Sequence, residues 1–199
     1  MYSEWVARKK HFVERLYKEF EEGRVDYDLM DLLNLINNLG DYYTTSSCSG
    51  RIQVIEARMP GDKYSIRVLG KWHWTISLED LLEALKKGEK NVWLMAQPPI
   101  LHVAARSFED ALKIMSLARK SGFKHSGVQV FKPDRVHVEI MASEEMTVPL
   151  IWKGVWIVNR RELSLLVEIS NELLKRAKEK LQRFKRAIVE EFYSNELPG

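Results

Sequence analysis

The chain has one cysteine, Cys48, among its 199 residues. An intrachain disulfide is excluded, and a reducing compartment is expected, with the cytoplasm as the default. No pair of Cys or His residues has the spacing of a zinc finger or a helical metal site, so no metal is expected. No apolar run approaches the length that crosses a bilayer. The opening stretch MYSEWVARKKHF lacks the apolar core of a signal peptide. Also missing are the Gly-rich first-strand fingerprint of Rossmann folds and the Gly-x-Ser-x-Gly elbow of α/β-hydrolases. No low-complexity tract or linker divides the chain, so a single domain is expected across residues 1–199.

What is there suits an ordinary globular protein: 45% hydrophobic residues and 30% charged ones. The net charge is only +3, so the distribution matters more than the sum. Lys175, Arg176, Lys178, Lys180, Arg183, Lys185 and Arg186 face only Glu179 within their own window. Such a run attracts phosphates. It is also what the solvated face of a helix looks like.

Spacing predicts a helix over 3–22, with Ser3 as cap and Trp5, Phe12, Leu16 and Phe20 on one face. A second follows at about 27–39, with Asp26 as N-cap and Gly40 past its end. Strands are expected at 52–58 and 63–69 around the turn Pro60-Gly61-Asp62, and at 72–76. Ser77-Leu-Glu-Asp80 opens a helix that Gly88 closes, and Ser107-Phe-Glu-Asp110 opens another that Gly122 closes. Between and after them, strands are expected at 91–96, 100–106, 126–131, 135–141, 146–151 and 154–158. From Asn159 to about 195 the chain turns helical, with Ile169, Leu173, Ala177, Leu181, Phe184, Ile188 and Phe192 on one face. The pattern is α+β: mixed, largely antiparallel hairpins with helices at both ends.

Several groups have chemistry to offer. Residues 44–52, TTSSCSGRI, hold five small hydroxyls, the cysteine, a glycine and an arginine before a strand. They form either a solvated turn or a loop whose backbone N–H groups and Arg51 cradle an anion. Gly122-Phe-Lys-His-Ser126-Gly127 is a second small-residue segment, read either as a helix cap and turn or as a wall of the same pocket. His73 and His102 each sit in an expected strand just before a capped helix, while His137 has no such neighbour and reads as structural. Cys48 beside Ser46 and Ser47 raises a hydrolase reading, which ranks last. Of Trp72, Trp74, Trp93, Trp152 and Trp156, an exposed one is able to stack on a purine-like base.

The string at 44–52 resembles the signature of the wybutosine-synthesising tRNA methyltransferases, the demethylwyosine nitrogen-4 methyltransferases, of archaeal type. The resemblance continues in order along the chain. It takes in His73 before Glu-Asp-Leu-Leu-x-Ala-Leu, Leu101-His102-Val103 with Arg106, Ser121-Gly122-Phe123-x-x-Ser126-Gly127, Val148-Pro149-Leu150 with Lys153-Gly154, and Glu191-Phe192-Tyr193. Thr147 departs from it, standing where relatives are expected to carry an acidic residue. The resemblance implies S-adenosylmethionine as cofactor, bound on a scaffold other than the Rossmann fold. It implies methylation of nitrogen 4 of the aminocarboxypropyl-demethylwyosine base at position 37, in the anticodon loop of phenylalanine tRNA. His73 or His102 is then the candidate base or base-orienting group. Ser46, Ser47, Ser49, Gly50, Arg51, Gly122, Ser126 and Gly127 are the candidate cofactor contacts. Arg106, Lys175, Lys178, Arg183, Lys185 and Arg186 are the candidate tRNA contacts. The runner-up is a non-catalytic RNA-binding module.

Overall fold

The computed structural model describes residues 2–62 and 64–194. The expected strand start at Lys63 and the end of the last helix at 195 lie outside the described residues. The elements, in order, are α1 (Tyr2–Glu21), a 3-10 turn (Tyr27–Leu29), α2 (Met30–Asn38), β1 (Tyr42–Cys48), β2 (Arg51–Glu56), β3 (Arg67–Trp72), α3 (Leu78–Leu85), β4 (Val92–Gln97) and β5 (Ile100–Ala105). They continue as α4 (Phe108–Lys120), β6 (Gly127–Lys132), β7 (Arg135–Met141), β8 (Met146–Trp152), β9 (Val155–Trp156) and α5 (Arg160–Phe192). Every strand pair is antiparallel among the described residues, and the α+β class read from the sequence holds.

Contacts group the chain into two units, which the backbone enters and leaves between Ser49 and Gly50, Pro98 and Pro99, Ser143 and Glu144, and Lys178 and Glu179. Unit 1 holds the sheet β1-β5-β7-β6. Alternation along each strand sends Leu101, Val103, Val136, Val138 and Ile140 into a core shared with α2, α4 and the last turns of α5. On the other face, Trp5 and Phe12 of α1 pack against Tyr43 and Ala104.

Unit 2 holds the sheet β3-β2-β4-β8-β9. Its core joins Ile52, Val54, Leu94 and Leu150 to Leu81 and Leu85 of α3 and to Leu163, Val167 and Leu174 of α5.

Four local expectations are corrected. Ser3 lies inside α1 rather than capping it. Asp26 stands at the N-cap of the 3-10 turn without a side-chain cap bond, and its carboxylate accepts from the Ser49 N–H instead. No strand covers 72–76: β3 ends at Trp72, and His73 and Trp74 lie in a bend that leads to the Ser77 cap. The buried stripe of α5 runs through Ser170 and Leu174 rather than Ile169 and Leu173; Ile169 is exposed. A polar residue fits there because the Ser170 hydroxyl donates to the Leu166 carbonyl one turn back, so no lone donor is buried.

Both expected capping boxes are present. Ser77 and Asp80 exchange bonds ahead of α3, and Ser107 and Asp110 do so ahead of α4.

Candidate functional site

The 44–52 stretch is not a loop. Thr44–Cys48 are the end of β1, Arg51 and Ile52 begin β2, and only Ser49 and Gly50 lie outside strands. Pairing with β5 gives the small hydroxyl residues their backbone partners, which is why a composition typical of turns runs extended here. A bulge between Thr44 and Ser46 shifts the register and re-aims the side chains.

Thr44 turns inward and is clamped by Asn37, whose amide oxygen takes the Thr44 N–H at 2.8 Å and whose amide nitrogen donates to Oγ1 at 2.9 Å. Ser46 turns outward. Its Oγ lies 2.8 Å from Nδ1 of His102, and Nε2 of the same ring lies 3.0 Å from the Glu139 carboxylate. A carboxylate only accepts, so Nε2 carries the hydrogen. In the neutral ring Nδ1 is then the lone pair that takes the Ser46 O–H. The result is a hydrogen-bonded chain from an exposed hydroxyl through an oriented imidazole to a carboxylate.

His73 is oriented differently. Its Nδ1 lies 3.1 Å from the Gly50 carbonyl, which only accepts, so Nδ1 carries the hydrogen. Gly50 has φ +86, a left-handed conformation that a side chain would strain. The Arg51 guanidinium donates to the Gln97 side-chain oxygen at 2.7 Å. The Ser49 N–H, fully buried, is held by Asp26 at 2.7 Å. Ser47 lines a small cavity of about 90 Å3 with Arg15 and Arg24, and its hydroxyl has no partner among the described residues. Cys48 is half-buried at the last position of β1.

The second small-residue segment closes a helix. Gly122 has φ +103, and a side chain there would meet the aliphatic stem of Lys180 at 3.0 Å. The Ser126 hydroxyl is buried and donates to the Phe123 carbonyl at 2.7 Å. Gly127 begins β6, with open space where a Cβ would stand.

The basic run on α5 is not a uniformly free stripe. Lys185 pairs with Asp31 of α2 at 2.7 Å, and Arg183 donates to the Ser121 carbonyl at 3.3 Å, partners that a window on α5 alone does not show. Arg106 pairs with Asp41 at 3.2 Å. Lys175 and Arg186 have no ion pair or hydrogen bond among the described residues, and Lys178 is half-buried. Arg183 and Arg186 border a groove of about 430 Å3 with Lys120 of α4, beside Glu190 and Glu191. Of the tryptophans, Trp74 is the most exposed, at 65%, and Trp93 is buried.

Two residues of the site were missed by sequence reading. Glu139 carried no motif; only the pairing of β5 with β7, which sets it opposite His102, reveals it. His137, read as structural, stands on the same face two residues earlier and accepts from the Arg135 Nε–H at 3.0 Å. Burial, then the charges of Lys132, His102 and Arg8, push its pKa below the ordinary histidine value. The folded protein thus resists a proton that the unfolded chain accepts. This stability is complete above the ordinary histidine range and is lost as pH falls through it. The thermal unfolding midpoint is expected to fall between about pH 7.5 and about pH 5.5, and less steeply in His137→Gln; calorimetric scans across that range check it.

A family model described as Methyltransferase TYW3 matches residues 7–190. A protein of Thermococcus sibiricus named tRNA(Phe) 7-((3-amino-3-carboxypropyl)-4-demethylwyosine(37)-N(4))-methyltransferase is 41% identical over 182 residues, 91% of this chain and 92% of its own. A protein of Archaeoglobus fulgidus with the same name is 39% identical over 184 residues, 92% of this chain and 93% of its own. The solved structure of the PH1069 protein from Pyrococcus horikoshii superimposes with a TM-score of 0.89 at 40% identity, covering 94% of this chain and 97% of that one. A hypothetical protein from Aeropyrum pernix superimposes with a TM-score of 0.75 at 36% identity, over 83% of this chain and 98% of that one.

Proposed function

Since the chain belongs to the Methyltransferase TYW3 family, we propose that it methylates nitrogen 4 of the 7-(3-amino-3-carboxypropyl)-4-demethylwyosine base at position 37 of tRNA(Phe), working on the anticodon loop in the cytoplasm with S-adenosylmethionine as donor. In this reading residues 1–199 act as one methyltransferase domain. No helix among the described residues is long and apolar enough to cross a membrane.

The observation that carries the reading is the Ser46–His102–Glu139 chain. Methyl transfer to a ring nitrogen that bears hydrogen forms a C–N bond, breaks a C–S bond and releases a proton. Bound S-adenosylmethionine supplies the methyl group already activated on a sulfonium. What the protein adds is alignment, exclusion of water and a sink for the proton. His102 is that sink. Its Nδ1 takes the proton through Ser46, and Glu139 holds the ring in the tautomer that leaves Nδ1 basic and offsets the charge it gains.

The signature residues fit a ligand rich in hydroxyls and carboxylate. Ser47 offers a hydroxyl without a partner among the described residues, next to Arg15 and Arg24. In unit 1, Ser46, Ser47 and the backbone at Ser49 are the donor contacts of this reading, with Gly127 leaving room at the second segment; Gly50 and Arg51, next in the chain, are the candidates that unit 2 offers. Gly122 and Ser126 support that segment from within.

The test incubates the purified chain with methyl-labelled S-adenosylmethionine and tRNA(Phe) bearing the demethylated base, and digests the tRNA for mass spectrometry. One added methyl group on base 37 is expected. Binding of that tRNA without any methyl product would replace the reading with an RNA-binding module.

tRNA phosphate contacts are expected from Arg186 and Lys120, which border one groove of unit 1, and separately from Lys175 of unit 2; none of the three has a hydrogen bond or ion pair among the described residues. Each charge reversal, Lys175→Glu or Arg186→Glu, should flatten the plot of log affinity against log salt by about one unit. Lys185→Glu additionally breaks a pair with Asp31, so its effect is read together with stability.

A further inference from the structure

The open face of the unit 1 sheet carries more polar chemistry than one proton transfer uses. Along β7, Val136, Val138 and Ile140 are buried, and the alternation places Arg135, His137 and Glu139 on the opposite face. His137 and Glu139 are two residues apart there, about 6–7 Å along the strand. A groove of about 330 Å3 lies on this face, with Ser46, His102, Gln129, Lys132 and His137 in its lining and Val130 as its apolar patch.

Charges of both signs stand on this face. In the groove lining, the Lys132 ammonium has no hydrogen bond or ion pair among the described residues. Beside it, His137 accepts from Arg135 through Nε2, so the neutral ring keeps its Nδ1–H as a donor. The charges of Lys132 and Arg8 both act on that ring, marking a positive field. Beside the lining residue His102, Glu139 gives it one carboxylate oxygen, and the second has no partner among the described residues.

A cation and a carboxylate presented on one face, with the His137 donor on the same face, suit a ligand that bears both charges on one carbon. We infer that the groove is a subsite for a 3-amino-3-carboxypropyl group, with its carboxylate on Lys132, Gln129 and His137 and its ammonium on Glu139. The inference rests on the methyltransferase reading, in which this chemistry has two sources. The base named for the relatives carries such an arm, and S-adenosylmethionine ends in the same atoms.

The test uses the full chain and Lys132→Ala, a change at an exposed position with no side-chain partner among the described residues. Three quantities are compared: calorimetric affinity for S-adenosylmethionine, kcat/KM for tRNA(Phe) with the arm on base 37, and kcat/KM for tRNA(Phe) whose demethylwyosine lacks it. A tenfold or greater loss of donor affinity places the donor's amino-acid tail in the groove. A tenfold or greater loss confined to the arm-bearing tRNA places the base's arm there. Equal losses on both tRNAs with a flatter salt dependence would make Lys132 a phosphate contact and overturn the inference, as would no change in any of the three. A parallel NMR titration of the wild type with L-2-aminobutyrate, the arm as a free amino acid, needs no catalysis. It is expected to shift the His137 and His102 ring resonances more than butyrate or propylammonium at equal concentration, and equal shifts count against the subsite. Failure of the wild type to transfer methyl groups at all would instead strike the underlying reading.

Discussion

A chain carrying His102→Gln is expected to bind donor and tRNA as the wild type does, yet to transfer methyl groups about 10²–10⁴-fold more slowly. Glutamine keeps a polar side chain between Ser46 and Glu139, so the open face of the sheet keeps its packing and much of its hydrogen bonding. It has no basic lone pair to accept a proton, and that loss is what the rate reports. Single-turnover measurements with saturating donor separate the chemical step from binding and product release. The same measurement ranks the two histidines that the sequence left open. His73 donates Nδ1–H to the Gly50 carbonyl, a bond that His73→Gln can replace with its side-chain amide. A smaller loss is therefore expected there. Should His73→Gln lose more than His102→Gln, the proton sink is His73 and the Ser46–His102–Glu139 chain only orders the sheet.

The largest expected loss of stability comes from Phe184→Ala. Phe184 is fully buried in the unit 1 core, where its ring lies 5.7 Å from that of Phe123 at a tilt of 57°. Truncation removes a transfer term and leaves a cavity that the close-packed neighbours fill only in part, at a cost of about 3–5 kcal/mol. The lost aromatic pair lies within that range. Urea unfolding followed by circular dichroism should show a lower midpoint with an unchanged slope. Gln182→Ala, two residues away on an exposed position, should leave the midpoint where it was. A loss for Phe184→Ala no larger than that of Gln182→Ala would mean that the end of α5 is not integral to the unit.

Phe184 was legible in the sequence because helical spacing is a local signal. The stripe through Leu181, Phe184 and Ile188 lies on the buried face as read, and the two Ser-x-x-Asp caps start α3 and α4 where they were expected. The same reasoning slipped by one residue at Ile169 and Leu173. A hydropathy pattern cannot see that Ser170 satisfies its own hydroxyl against Leu166 and so passes as a core residue. It failed more fully at TTSSCSGRI, where turn-like composition became strand because β5 supplies a hydrogen-bonded neighbour 50 or more residues away in sequence.

The motifs name residues but not how they are wired. Ser46 and His102 were both named from the sequence, yet nothing local says that they touch. Glu139 was not named at all, since a lone glutamate in an alternating strand looks like an ordinary solvent-facing residue. Likewise, the basic run on α5 reads as free charge until Asp31 and the Ser121 carbonyl arrive from other elements and engage part of it.

What the sequence determined by itself is the set of periodicities, caps and turns that define the α+β class, together with the family that its ordered motifs resemble. Local backbone and side-chain preferences fix these over a few residues at a time. What only the tertiary structure decided is the register of β5 against β1 and β7. That register sets Ser46, His102 and Glu139 in one hydrogen-bonded line and opens the groove beside them. Register depends on which face of each strand finds a core, and that is settled by the whole of unit 1 folding together.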